Sequence, residues 1–376
     1  MSKVITKMQE VEDLVRGVTF FGTGGGGDPQ KGLKFLKETL NDVGKIELID
    51  VEELADDATV CTCFYMGSIA PHTKEIKQKM KNMGLIKPEF ERVLPEAVKE
   101  LEKYIGKEID AIVAVELGGI NTPAPIDAAA RLGKKVVDGD YAGRSIPEVI
   151  QTTPSMAGKM LTPMSSVDEW GNVAFVKKVR NHACAEALGK AISTVAFGLV
   201  GQTAFVMTGK ELKEILIRGT ITESIKAGKI LREARENGKK PGEEIAKALN
   251  GWVLFEGEVT GKEWEDKAGY YWGTHTIAGI GKYSNHEFKI WFKNENHITW
   301  LDGEPYVTSP DIVEVIHLDS GEPITNPDLK KGDKVSVIGL KKREAFNNKK
   351  GIELVGPTHY DFDIKHKPIE NVIFEF

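Results

Sequence analysis

The stretch A-I-V-A-V-E-L-G-G-I-N at residues 111–121 decides the fold. Its apolar run does not alternate with polar residues. That reads as a strand covered on both faces, the kind found in parallel sheets. Gly118-Gly119 then ends the strand with a turn signal. Similar strands are expected on either side, at Ile46 to Val51, Val60 to Met66 and Lys135 to Asp138. Helices are expected between them. One opens with Asp28 as N-cap and Pro29 at its first position, and Leu33, Leu36 and Leu40 form its apolar face. Others are read at Pro95 to Ile105 and at about 125–132, with a polar excursion over 71–94. Alternating strand and helix predict an α/β fold, with a mostly parallel sheet carrying helices on both faces.

The pattern changes after about residue 165. Ala187 to Val200 reads as a helix with Leu188, Ile192, Val195 and Leu199 on one face. Thr220 and Glu223 fit a capping box that opens a helix running to about Asn237. From Trp252 onward β-type segments dominate, at 252–259, 287–293, 296–300, 312–318, 334–339 and 351–355. Two domains are expected: an N-terminal α/β domain over 1–165, and a C-terminal β-rich α+β domain with a helical insert over 166–376.

Composition narrows the function. The chain has 376 residues, 41% hydrophobic and 28% charged, enough to bury two cores. A net charge of -6 gives no basis for a nucleic-acid or anionic-membrane partner. The start, M-S-K-V-I-T-K-M-Q-E, has no apolar core, and the most apolar stretch, 191–207, is interrupted by Ser193, Thr194, Gln202 and Thr203. Three cysteines, a small odd number, argue against a disulfide framework and fit a reducing, cytoplasmic setting. Cys61 and Cys63 lie two apart on a strand, so both are expected on one side, as buried thiols.

F-F-G-T-G-G-G-G-D-P at 20–29 is the strongest local signal. Consecutive glycines let backbone approach a ligand closely, and the helix that follows offers free N–H groups. Gly22, Gly24 and Gly27 also satisfy G-x-G-x-x-G, with Asp50 at the next strand end, but the residues before the loop read as helix where a dinucleotide site needs a strand. Ligands of open α/β sheets bind at the carboxyl ends of the strands. Those ends carry Met66-Gly67-Ser68, then Glu116, Gly118, Gly119 and Asn121, then Asp138, Asp140, Arg144 and Glu148. Such a set can hold a general base, orient water and bind a polar ring.

Six stretches resemble the family named for S-methyl thiohydantoin desulfurase, formerly a domain of unknown function. They are F-G-T-G-G-G-G-D-P (21–29), V-E-L-G-G-I-N (115–121), V-V-D-G-D-Y-A-G-R-S-I-P-E (136–148), G-T-I-T-E-S-I-K-A-G-K-I (219–230), K-N-E-N (293–296) and S-P-D-I-V (309–313). Where the family usually reads D-A-D-G-M-G-R, this chain reads D-G-D-Y-A-G-R, with Tyr141 in place of a small residue. The resemblance implies hydrolysis of a small hydantoin-like ring, with water displacing methanethiol from an S-methyl thiohydantoin. It implies Asp138, Asp140, Glu116 and Glu148 as catalytic candidates. Thr23, Gly24, Gly25, Gly26, Gly27, Asp28, Gly67, Asn121 and Arg144 are the ligand-binding candidates. Asp138 or Asp140 is the expected base for water, with a divalent metal ion as an optional cofactor held by three of the acids. Expected partners are a cyclic amide substrate, a hydantoinase/oxoprolinase-type protein and further copies of the chain. The alternative is a non-catalytic ligand-binding or assembly subunit of such a complex. The β-rich half is expected to pack over the strand ends and to reach the site near Asn294 and Glu295.

Overall fold

A computed structural model describes residues 3–67 and 73–373. Ser68, read above as part of a strand end, and the first residues of the 71–94 excursion lie outside them. The first sheet contains β1 (Lys3–Ile5), β2 (Ile46–Ile49), β3 (Thr59–Met66), β4 (Ala111–Val113), β5 (Lys135–Val137), β7 (Met164–Val167), β8 (Val173–Val176) and β9 (Val200–Thr208). Their order is β1-β2-β5-β4-β3-β9-β7-β8. The four strands β2-β5-β4-β3 run parallel, and antiparallel strands extend the sheet on either side. Between β5 and β7, β6 (Gly139–Asp140) pairs with β10 (Ile217–Arg218) as a separate ribbon. Strands β7, β8 and β9 belong to the sheet although they lie at or beyond residue 165, the expected domain end.

The parallel strands are apolar on both faces because both are covered. Cys61, Cys63 and Tyr65 of β3 pack with the helices Met8–Phe20, Pro29–Val43, Val93–Ile105 and Pro123–Arg131. The alternate residues Val60, Phe64 and Met66 join a second core with Ala185, Ala196, Leu212 and Leu216. Both cysteines therefore share one side, fully buried.

The expected apolar face of the helix His182–Val195 is only partly turned inward: Ile192 packs against the second core, and Leu199, beyond the helix, against the first. Leu188 is 45% and Val195 70% exposed, whereas Ala185, Gly189 and Ser193 are buried. Small residues win the inner face because the helix lies close to β3. A Cβ on Gly189 would come 2.6 Å from the sulfur of Met66.

The second sheet holds β11 (Trp252–Lys267), β12 (Tyr270–Gly279), β13 (Glu287–Lys293), β14 (Glu295–Leu301), β15 (Glu304–Thr308), β16 (Ile312–His317) and β17 (Lys334–Leu340). It is antiparallel throughout, in the order β15-β14-β13-β12-β11-β17-β16. Residues 351–355, expected as β, instead lie in the short helix Lys349–Val355, because the Asn348 side chain accepts the Gly351 N–H at 2.9 Å and caps its first turn. Among the described residues no helix is long and apolar enough to cross a membrane.

Candidate functional site

The glycine run bends the chain from one helix into the next and lies in a tight slot. Thr23, Gly24, Gly26 and Gly27 all take positive φ, from 50° to 85°. Gly26 O accepts the N–H groups of Ile120 and Asn121 at 2.9 and 3.3 Å, so the loop is laced to the end of β4. A Cβ on Gly26 would lie 2.4 Å from Gly118 Cα. Glycine at both positions is what allows two backbones to touch.

The β-rich half closes over this slot. The turn between β13 and β14 is a single residue, Asn294, at φ 57°, a left-handed conformation that asparagine tolerates better than most residues. Its side chain accepts the Tyr271 N–H at 2.8 Å. The next residue, Glu295, is thereby placed against the loop. Asn296 N–H donates to Thr23 O and Asn326 N–H to Gly24 O, each at 2.7 Å.

Glu295 meets Glu116 there. Glu116 Oε1 accepts from the Asn121 amide at 2.7 Å, and Oε2 accepts from the Ile146 N–H at 2.7 Å. Glu295 Oε1 lies 3.3 Å from the Gly26 N–H. The Ser145 hydroxyl lies 3.0 Å from Glu116 Oε2 and 3.0 Å from Glu295 Oε1. A hydroxyl has one proton to donate. If both acids were ionised, one of these contacts would be two oxygens with no proton between them. A carboxyl proton removes that conflict. Glu116 already accepts from an amide and a backbone N–H, so the proton belongs on Glu295. Burial raises both pKa values, and for Glu295 the neighbouring Glu116 raises it further.

A cavity of about 60 Å³ opens beside the pair, with Gly26, Tyr65, Glu116, Asn121, Lys190 and Glu295 among its walls. Burial lowers the Lys190 pKa. Its amine sits 4.1 Å over the Tyr270 ring and donates to Gly269 O at 3.4 Å. Nothing in its helix pattern marked it, because a lysine on an amphipathic helix normally faces water.

The other expected residues have different surroundings. Gly27 and Gly67 line the cavity, while Gly24, Gly25 and Asp28 line an adjoining cleft. Asp28 also accepts the Gln30 N–H at 2.8 Å, as the N-cap it was expected to be. Thr23 is held by Glu314, Asn296 and Arg144. Arg144 is buried and spends its guanidinium on Thr23 and on the carbonyls of Ser145, Asp311 and Asn296, so it ties the two halves together and does not face the cavity. Glu148 pairs with Lys293 and with His359 at 3.1 Å. Burial alone would raise its pKa, but hydrogen bonds and charge from His359 and Lys293 hold it at about 2.

Asp138 and Asp140 lie away from the cavity. Asp138 accepts the Thr222 N–H at 3.0 Å and the Thr222 hydroxyl, and so caps the helix Thr220–Glu236. That corrects the capping box read at Thr220. The N-cap residue is Gly219, which has no side chain, so the cap comes from the end of β5. Asp140 Oδ2 accepts the N–H groups of Ala142 and Gly143 at 2.9 and 2.6 Å inside its own turn. Burial raises its pKa to about 6. The acids therefore do not converge on one point. Among the described residues no three His, Cys, Asp or Glu side chains are placed together to hold a metal ion.

The chain belongs to the S-Me-THD-like family. That family's N-terminal domain matches residues 9–178 and its C-terminal domain matches 179–369. No curated protein matches the sequence. A crystal structure of a protein from Chromobacterium violaceum is similar over 98% of this chain and 100% of that one, at 20% identity and a TM-score of 0.77. At that identity the likeness shows a shared fold.

Proposed function

We propose that this protein hydrolyses a hydantoin-like ring by displacing methanethiol from an S-methyl thiohydantoin, with Glu116 and Glu295 as the acid–base pair. The observation that carries the reading is the Ser145 hydroxyl held between two buried carboxyls on a cavity wall. Two such groups with one proton between them supply a base and an acid at once.

Water adds to the ring carbon that bears sulfur. Ionised Glu116 removes one water proton, and Glu295 delivers its proton to the adjacent ring nitrogen. As the tetrahedral carbon collapses, the new hydroxyl returns a proton to Glu295 and the carbon–sulfur bond breaks. Glu116 then gives its proton to the departing methanethiolate. A carbonyl and a ring N–H replace the thioimidate, and both carboxyls return to their starting states. Nothing is oxidised or reduced. Asn121 keeps Glu116 in position through its 2.7 Å hydrogen bond. Lys190 and the loop backbone face the polar atoms of the ring.

The test is to incubate purified protein with an S-methyl thiohydantoin, trapping methanethiol and weighing the product by mass spectrometry. Release of both products, abolished in Glu116→Gln, is expected. Binding without release overturns hydrolysis and leaves a ligand-binding protein. Release that Glu116→Gln does not diminish overturns the assignment of the base.

A further inference from the structure

The cavity beside the carboxyl pair adjoins a cleft of about 810 Å³. Gly27, Tyr65 and Leu199 line both spaces, so the two adjoin along these residues. At ~10–15 Å³ per water in this measure, the inner 60 Å³ holds about four to six waters, which is close to the bulk of one five-membered ring. The outer space is far larger than such a ring needs.

Resting on the reading of the inner cavity as the ring site, we propose that the substrate ring carries a hydrophobic substituent of aromatic size that lies in this cleft. We further infer that the cleft discriminates against an anionic substituent. Part of the cleft lining is apolar: Tyr65 and Val93 are buried, and Phe90 and Leu199 are half-buried. Apolar walls of this kind gain by excluding water from a ligand of matching shape.

Charge sets the second half of the inference. Lys31 is the cation of the cleft lining, and it lies 5.3 Å over the Tyr65 ring. Against it stand the carboxylates of Asp28, Glu91, Glu169 and Asp328. Glu91 is neutralised by Lys34 at 2.5 Å, which leaves an acidic surplus along the lining. An added carboxylate would enter that field at a cost, whereas a neutral ring would not.

Calorimetric titration of the full chain with hydantoin, 5-benzylhydantoin and 5-(2-carboxyethyl)hydantoin tests this. The benzyl compound is expected to bind about tenfold more tightly than hydantoin, as burial of a phenyl group allows. The carboxyethyl compound should bind no more tightly than hydantoin. Phe90→Ala should remove most of the benzyl advantage while leaving hydantoin affinity unchanged, and Phe90→Leu serves if the alanine variant does not fold. Equal binding of benzyl and parent compounds, tightest binding of the carboxylate, or an undiminished advantage in the Phe90 variants would overturn the inference. If none of the three compounds binds, the ring reading itself falls, and the substituent with it.

Discussion

Two neighbouring strands of one sheet, β4 and β5, end in acid-bearing loops, yet their carboxylates do different work. Beyond β5, Asp138 caps a helix through Thr222 and Asp140 accepts two N–H groups of its own turn. Glu148 is neutralised by Lys293 and His359. Beyond β4, Glu116 faces a second acid across a hydroxyl that can satisfy only one of them. Burial raises Asp140 to about 6 as well, so a raised pKa does not by itself set the two ends apart; the second carboxyl across one shared hydroxyl does. On the proposed reading, that difference assigns the chemistry to the β4 end, although both ends carry the same kind of side chain.

The comparison breaks most sharply at Glu116. Glu116→Gln should lower turnover by about 10²–10⁴-fold, the usual range for loss of a general base. Its melting temperature should hold or rise, since a buried charge is removed. Turnover and melting measured together separate the two effects.

Gly25→Ala reaches the same pair indirectly. The added Cβ would lie 1.9 Å from Glu295 Oε1, so the carboxyl must shift. Misplacement on that scale should cost about 10²-fold in turnover with the fold retained. Full activity in that variant would show that Glu295 is not needed where it stands.

Stability against pH should carry opposite signs in the two regions. Burial raises the Glu295 pKa above its ordinary value, so the folded state binds more protons than the unfolded chain in that window. Its contribution is full below the ordinary carboxylate range and is lost as pH rises through the folded value. Glu148 sits at about 2, below its ordinary value, so its contribution is present above that value and is lost as pH falls. In melting scans Glu295→Gln should flatten the alkaline decline, and Glu148→Gln the acid one.

The smallest effect is expected at Asp138. Asp138→Asn weakens a helix cap worth about 1 kcal/mol, lowering the melting temperature by about 2–4 °C with turnover unchanged. Loss of turnover without loss of melting would return Asp138 to the chemistry.

Much of this was legible in the sequence, and the remainder has physical reasons. The apolar run before Glu116 and the glycine pairs around it announced a buried strand with a crowded end. K-N-E-N, quoted for its family resemblance, holds Asn294 and Glu295, which were expected to reach the site and do line the cavity. What could not be read was which acids are already satisfied. The partner of Asp138, Thr222, lies 84 residues away, and the partner of Glu295, Ser145, 150 away. No local pattern reports such pairings. Lys190 was hidden by its helix, because the small residues Ala185, Gly189 and Ser193 are among its buried positions while Leu188 and Val195 are exposed.

The most direct test is the pH dependence of methanethiol release in the wild type and in Glu295→Gln. A pair holding one proton predicts an alkaline limb well above the ordinary carboxylate range, where Glu295 loses its proton. In Glu295→Gln the residual rate should be low and that limb absent. An identical limb in the variant, or one set by an ordinary carboxylate in the wild type, would contradict the assignment of Glu116 and Glu295 as the acid–base device.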